Sequence, residues 1–414
     1  MSAIRPEDVP VTRIIIEDPL VTVPRFVVAA KGLEGELIAQ RRDLHRHPEL
    51  GYQEVRTAGI VARNIGDLGM EVQTGVGKTG VVGLMVGGRP GPTVLLRFDM
   101  DALPIQEENE TEYVSSVAGV MHACGHDGHT AIGLAVARMM AQQRDRLQGA
   151  LKFVFQPAEE GGGGAEAMIA DGALRDPRPD FAFGLHLWNE RPFGWVGATE
   201  GEMMAGCCDW ECVVRGDGGH AAMPHRVRDP VVAASQIVLA LQTVVSRNVP
   251  PMESAVVSVT QLEGGDTCNV IPGEVRLAGT LRYFRNKDCE RSKDRMKQIA
   301  ENVALAMDCR AEVSFGCGLR PVTNDANAAV LVRELAGLVP GVTVVADDER
   351  TAVSEDFGEF TADVPGCFFF IGSANGERGL DHPHHHSRFD FDERSLTVGA
   401  VLIASVAARY VMPA

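Results

Sequence analysis

The chain has 414 residues, 45% apolar and 23% charged, a globular balance that excludes disordered and fibrous classes and allows two or three domains of roughly 150 residues. Its 56 Asp and Glu against 39 Lys and Arg give a net charge of −17, which repels phosphate backbones and anionic lipid and argues against nucleic-acid and membrane partners. The first 25 residues carry little pattern and read as a loosely packed lead-in. Gly32 to Arg46 is amphipathic, with Leu33, Leu37, Ile38 and Leu44 at helical spacing, and a second helix is expected over Val55 to Leu68. Strand signals follow at Met70 to Val72, Val81 to Val86 and Thr93 to Phe98, separated by Gly and Pro turns. A helix over Thr130 to Asp145, a strand over Ala150 to Phe155, a short helix over Ala165 to Ala170 and a strand over Asp180 to Leu187 continue the alternation. That pattern predicts a three-layer α/β domain.

From about Cys207 the texture changes. Trp210 to Arg215, Ser254 to Leu262, Glu274 to Arg282 and Arg310 to Phe315 read as strands. Pro230 to Arg247 and Lys287 to Met307 read as helices, and the uncharged stretch Val231 to Ser246 reads as buried. Strand, helix, two strands, helix, strand is the split βαβ order of a ferredoxin-like α+β domain. After Pro321 a helix over Ala326 to Leu338, a strand over Phe368 to Gly372 and a closing helix over Glu393 to Tyr410 resume the α/β texture. The expected organisation is a catalytic α/β domain over 1–206 and 321–414, interrupted by an insert over 207–320.

The nine Cys include no C-x-x-C, and the start MSAIRPEDVP lacks a basic segment followed by an apolar one. Reduced thiols and a cytoplasmic location are expected. No apolar run approaches the roughly 20 residues of a membrane span. The sequon at Asn109 is taken as chance.

Two glycine runs imitate nucleotide sites. Gly75-Val76-Gly77-Lys78-Thr79-Gly80 fits G-x-G-x-x-G, but a strand follows it where a helix N-terminus is required, and Val72 stands where a Walker pattern needs Gly. It reads as a connection between strands. Gly161 to Gly164 lacks a following Lys-Ser/Thr and reads as room for close backbone approach.

The chemistry concentrates elsewhere. His122-Ala123-Cys124-Gly125-His126-Asp127-Gly128-His129 packs imidazoles, a thiol and a carboxylate that each need partners if buried. In an extended or loop geometry Cys124 and His126 face one side and can share a cation. Asp99 and Asp101 follow an apolar strand, as ligands or as anchors that orient an imidazole. Glu159 and Glu160 follow another, where one can bind metal while its neighbour handles protons. His186 closes a third. A four-His cluster spans His382 to His386, with sequence continuing to Ala414, so it is no purification tag. In the insert, His220 follows a glycine run, and Asn269 and Arg282 are suited to holding a carboxylate.

The order DLHRHPELGYQE, LRFDMDALPIQE, MHACGHDGHTA, FQPAEEGGGGA, HLWN, GGHAAMPH, CNVIPGE, GTLR, SEDF and FDFDE resembles the metal-dependent amidohydrolases that cleave N-acyl amino acids. These are the hippurate hydrolases and plant indoleacetyl-amino acid hydrolases of the carboxypeptidase and aminoacylase group. The match runs from about Arg41 to Val398. It implies two divalent metals per subunit, manganese or zinc with cobalt or nickel as options, and an inserted lid domain that forms a homodimer. The implied ligands are Cys124, His126, Glu160, His186 and one C-terminal His. The family pattern His-Asn-Pro-x-Tyr-Asp-Phe, counted back from Phe389-Asp390-Phe391, gives His385, with His384 and His386 beside it and Ser387 where Pro is usual. Glu159 is the implied general base, His220 the lid residue reaching the partner's site, and Asn269 and Arg282 the holders of the substrate carboxylate. Asp99, Asp101 and Asp127 are expected to support the ligands.

The implied reaction is hydrolysis of an N-acyl or N-aroyl amino acid by hydroxide formed as metals lower the pKa of water and Glu159 takes the proton. A dipeptidase or an N-acetyl-diaminopimelate deacetylase is the alternative within this class. Outside it stands a binding protein that kept the fold, against which the intact Glu159, Glu160, Cys124 and His126 argue. A zinc nucleobase deaminase needs H-x-E with P-C-x-x-C, which is missing.

Overall fold

The computed structural model describes residues 18–412, and most of the expected lead-in lies outside them. From Pro19 onward the chain is helical. Asp18 caps the helix Pro19–Arg46 by accepting the Leu20 N–H at 2.9 Å, and Pro19 takes the first helical position. Val23, Phe26, Ala30, Leu37 and Leu44 then form one buried stripe, so the helix begins well before the predicted Gly32.

The chain divides into two compact units. One comprises residues through Ala198, Asn327–Asp347 and Val364–Ala414; the other comprises Thr199–Ala326 and Asp348–Asp363. The first holds an eight-stranded mixed sheet. Its order is Glu71–Val76, Gly80–Val86, Gln148–Gln156, Arg89–Asp99, Phe181–Pro192, Gly366–Ala374, Trp195–Gly197 and Val344–Ala346. Arg89–Asp99 runs parallel to both its neighbours, and Gly366–Ala374 runs parallel to Phe181–Pro192. Parallel strands buried on both faces read as continuous apolar runs, which is why Phe368, Phe369, Phe370 and Ile371 are all inaccessible. The short strands Trp195–Gly197 and Val344–Ala346 lack such a run and escaped the sequence reading.

Helices Pro19–Arg46, His126–Ala141 and Arg394–Val411 pack on one another and close the core. Gly133 lets the middle helix approach the sheet: a Cβ there would lie 2.6 Å from Phe98 and 2.7 Å from Phe155. The Gly75 to Gly80 run is a turn between antiparallel strands, as expected.

The second unit carries a four-stranded antiparallel sheet in the order Ala255–Glu263, Glu274–Tyr283, Gly206–Arg215 and Arg310–Leu319. Helices Pro230–Asn248 and Asn286–Leu305 complete the split βαβ pattern. Along Gly206–Arg215, Cys208, Trp210, Cys212 and Val214 alternate into the core with period two. Helix Pro230–Asn248 corrects one expectation. Only the face of Ala233, Ala234, Ile237, Leu241 and Val244 is buried, while Val231, Val232 and Leu239 are exposed. By length and composition this helix and Arg394–Val411 could each cross a membrane, but 78% of the latter's apolar window is buried within the protein.

Candidate metal centre

The mixed sheet delivers its polar residues at the carboxyl ends of two adjacent parallel strands, where α/β sheets place their sites. Asp99 and Gln156 are register partners. Asp101 and the pair Glu159-Glu160 therefore leave the sheet side by side, and Asp101 Oδ2 accepts the Glu160 N–H at 3.0 Å. His186 differs from expectation: it lies inside Phe181–Pro192, not at its end, and pairs with Phe370. The third contribution also differs in form. Gly125, at φ +90°, turns the chain into the helix His126–Ala141, so Cys124 precedes the helix and His126 opens it. A left-handed φ here suits glycine.

These elements bring donor atoms together. The ligand atoms of Cys124, His126 and His186 lie within 4.8 Å of one another, as do those of Cys124, Glu160 and His385, and those of His126, Glu159 and Glu160. Cys124 Sγ is 3.5 Å from His186 Nε2, and His385 Nε2 is 3.1 Å from Glu160 Oε1. Cys124 thus belongs to two donor groups that share a single thiol.

Hydrogen bonds aim the imidazoles. His126 Nδ1 lies 3.2 Å from Asp101 Oδ1, which turns Nε2 inward; among the described residues no hydrogen-bond partner meets that buried Nε2. His186 Nδ1 donates to the Leu187 carbonyl at 2.7 Å, leaving Nε2 toward Cys124. His129 is engaged on both sides: it bonds Asp99 at 2.7 Å through Nδ1 and accepts the Leu187 N–H at Nε2. It is a brace with no ring atom left for a cation. Asp99 also pairs with Arg97 at 2.6 Å and supports the ring of His129.

The electrostatics call for positive charge. Burial, with Glu160, Glu159 and Asp99 close by, pushes the Cys124 thiol well above its ordinary value. Burial opposes charging of His126, yet Asp99, Asp101 and Glu160 outweigh it and hold the ring up to about 10. A thiol, two glutamates and two aspartates around an inward-facing imidazole nitrogen form a donor set that fits divalent cations, which also make a ligating thiol ionise.

In the C-terminal cluster, His385 joins Cys124 and Glu160 from a left-handed backbone at φ 65°, its N–H donating to the Ala123 carbonyl at 2.8 Å. His384 is half-buried, stacks on Trp188 and accepts the Asn189 N–H at 3.1 Å, and desolvation lowers its ring to about 3. His386 stacks on His382 at 4.5 Å. Ser387, where the family pattern has Pro, bonds Glu108 at 2.9 Å.

Asp127 lies in another network. Its Oδ2 accepts from Arg41 Nε at 2.7 Å and meets His45 Nδ1 at 2.8 Å, while Arg41 also reaches Asp390 at 2.8 Å. Instead of supporting a ligand ring directly, it ties the metal-site helix to Pro19–Arg46 and to the segment after His385. Arg41, His45, Glu54, His129 and Asn189 escaped the sequence reading as functional residues. Arg41, His45 and Glu54 stand within or beside DLHRHPELGYQE, where motif density was the available signal. Glu54 holds the glutamate turn, accepting the Ala158 N–H at 2.9 Å and the Thr79 hydroxyl.

His220, Asn269 and Arg282 belong to the second unit. His220 pairs with Val270 in a two-stranded ribbon, and the Asn269 carbonyl accepts the Ala221 N–H at 3.1 Å. Arg282 donates to the hydroxyl of Ser354 in the SEDF motif.

A family model described as peptidase family M20/M25/M40 matches residues 95–409. The chain belongs to this family. This M20-family chain is a metal-dependent hydrolase with the fold of its solved relatives. It is 36% identical to thermostable carboxypeptidase 2 of Saccharolobus solfataricus, over 92% of this chain and 96% of the relative. It is 39% identical to IAA-amino acid hydrolase ILR1-like 4 of Arabidopsis thaliana, over 91% and 86%. A Bacillus subtilis structure described as a dinuclear metal-binding peptidase of the M20 family superposes with a TM-score of 0.80 at 34% identity, covering 91% of this chain and 98% of that one.

Proposed function

We propose that the protein hydrolyses the amide bond of an N-acyl or N-aroyl amino acid, releasing a carboxylic acid and a free amino acid. The observation that carries this is the meeting of Cys124, His126, His186, Glu160 and His385 beside Glu159. Cys124, His126 and His186 would hold one divalent ion, and Cys124, Glu160 and His385 a second. Such ions, when bound, polarise the amide carbonyl and lower the pKa of water. Glu159, 7% exposed beside His126 and Glu160, takes the proton of the attacking water and passes it to the leaving amine. Asp101 keeps His126 Nε2 turned toward the ions. Arg282 and Asn269 hold the substrate carboxylate, and His220 stabilises the developing oxyanion in the partner subunit's site. The insert over 207–320 acts as lid and homodimer interface, and the enzyme works in the cytoplasm with manganese or zinc.

The relative named as a carboxypeptidase favours one second reading, a peptide as the N-acyl substrate. A hydrolysis screen of N-acetyl, N-benzoyl and N-indoleacetyl amino acids alongside dipeptides tests both. Metal-stripped enzyme is reconstituted in turn with manganese, zinc, cobalt and nickel. Turnover of acyl amino acids at efficiencies orders of magnitude above dipeptides is the expected result. The opposite order establishes the peptidase, and bound metal with no turnover of any substrate points to a binding protein.

A further inference from the structure

His385 is the most exposed donor of the cluster, its side chain half accessible, and it stands on an irregular loop with a left-handed backbone. A ligand so placed needs its loop fixed from elsewhere. The amide of Asn189 closes that loop at its neck. Its Nδ2 donates to the His382 carbonyl at 3.0 Å and to the Asp390 carbonyl at 2.8 Å, so one NH₂ group joins the two ends of the segment that carries His385. Its Oδ1 accepts the hydroxyl of Ser373 at 2.6 Å, which fixes the orientation of the amide. Its backbone N–H donates to His384 Nε2, pinning the residue next to His385. Asn189 and Ser373 are both buried, and both stand on adjacent central strands of the sheet, Phe181–Pro192 and Gly366–Ala374.

We infer that Asn189 is a positioning residue for the metal position built from Cys124, Glu160 and His385. It transmits the rigidity of the sheet to His385 and touches neither ion nor substrate. The inference rests on the proposed two-ion reading. The alternative hydrogen-bonding states are poor. A carboxylate at this position would face two carbonyl oxygens with no proton to give, and an apolar side chain would leave both carbonyls unsatisfied in a buried neck. The position built from Cys124, His126 and His186 takes no residue from the loop, so a change at Asn189 acts on one ion and spares the other.

Cobalt(II) titration of metal-stripped enzyme, followed by visible absorption and equilibrium dialysis, provides the test. The wild type is compared with Asn189→Asp, His385→Ala and the double variant. Two ions should bind the wild type, and His385→Ala should weaken one of them. Asn189→Asp should weaken that same ion by about 10–100-fold and leave the other within twofold, with the double variant no worse than His385→Ala. Ser373→Ala, which frees the amide to turn over, should weaken the same ion less and guards against a misfolded Asn189→Asp. Wild-type affinity for both ions in Asn189→Asp and Ser373→Ala, with His385→Ala impaired, overturns the inference and leaves the two-ion reading standing. Equal weakening of both ions in the Asn189 and Ser373 variants overturns it as well. If His385→Ala itself binds both ions as tightly as the wild type, the assignment of His385 fails and the inference falls with it.

Discussion

At the level of single residues, the two glutamates of one turn are separated by what surrounds them. Glu160 is tied by its backbone to Asp101 and by its carboxylate to His385, while Glu159 turns toward His126. Replacing Glu159 with Gln removes proton transfer and keeps the shape. We expect kcat to fall by about 10²–10⁴-fold or more with metal content unchanged, as measured by steady-state rates and elemental analysis. An active Glu159→Gln enzyme removes Glu159 as the base. His45 gives a second prediction. Burial and Arg41 oppose its charge, but its bonds to Asp127 and Glu107 raise the ring from 6.5 to about 9. The charged ring therefore favours the folded state fully below pH 6.5, and about 3 kcal/mol is lost as pH rises through 9. The urea midpoint should fall between pH 6.5 and 9.5, and fall less in His45→Gln. Parallel slopes for the two proteins would sink this assignment.

Among the elements, the helix His126–Ala141 does most to assemble the candidate site, since it starts at the proposed ligand His126 and its seat on the sheet sets where that ring points. Gly133 permits that seat. Gly133→Ala should cost about 1–3 kcal/mol in chemical unfolding, because the added methyl meets the rings of Phe98 and Phe155. An unchanged midpoint would show that the helix can lift away freely. The helices and long strands were legible in the sequence because their apolar periodicity follows directly from burial on one face or two. Glu160 and His186 stood out because ligand-type residues beside apolar strands have few other uses, and Cys124 because imidazoles, a thiol and a carboxylate crowd the run His122 to His129. What stayed hidden depends on contacts between distant segments. Asn189 bonds residues about two hundred positions away, and Asp127 sits beside the proposed ligand His126 yet serves Arg41 and His45. No spacing rule encodes such pairs. The three-residue strands at Trp195 and Val344 were missed because strand pairing, not local pattern, defines them.

For the molecule as a whole, the metal centre links stability to ligand supply. Ions that bind only the folded chain stabilise it by mass action, about 2.7 kcal/mol per site at a hundred times the dissociation constant. Stripping metal should therefore lower the calorimetric transition of the unit that carries Cys124, and adding manganese or zinc should restore it. A transition indifferent to metal would contradict the centre. Sedimentation of active enzyme examines the proposed dimer, since a fully active monomer rules out a role for His220 across subunits.

The sheet is interleaved in time as well as in space. Strand Gly366–Ala374 lies between Phe181–Pro192 and Trp195–Gly197, although all of the second unit's chain is made before it. On the ribosome, at about 5–20 residues per second, the split βαβ sheet is complete while the catalytic sheet still lacks a central strand. His385 emerges later still. On the proposed two-ion reading, a growing chain therefore has Cys124, His126 and His186 long before it has the donors of a second position, and hydrolysis would wait for the last stretch of translation. Chains cut short before that strand would expose the apolar edge of Phe181–Pro192, giving quality control a clear mark of an unfinished enzyme.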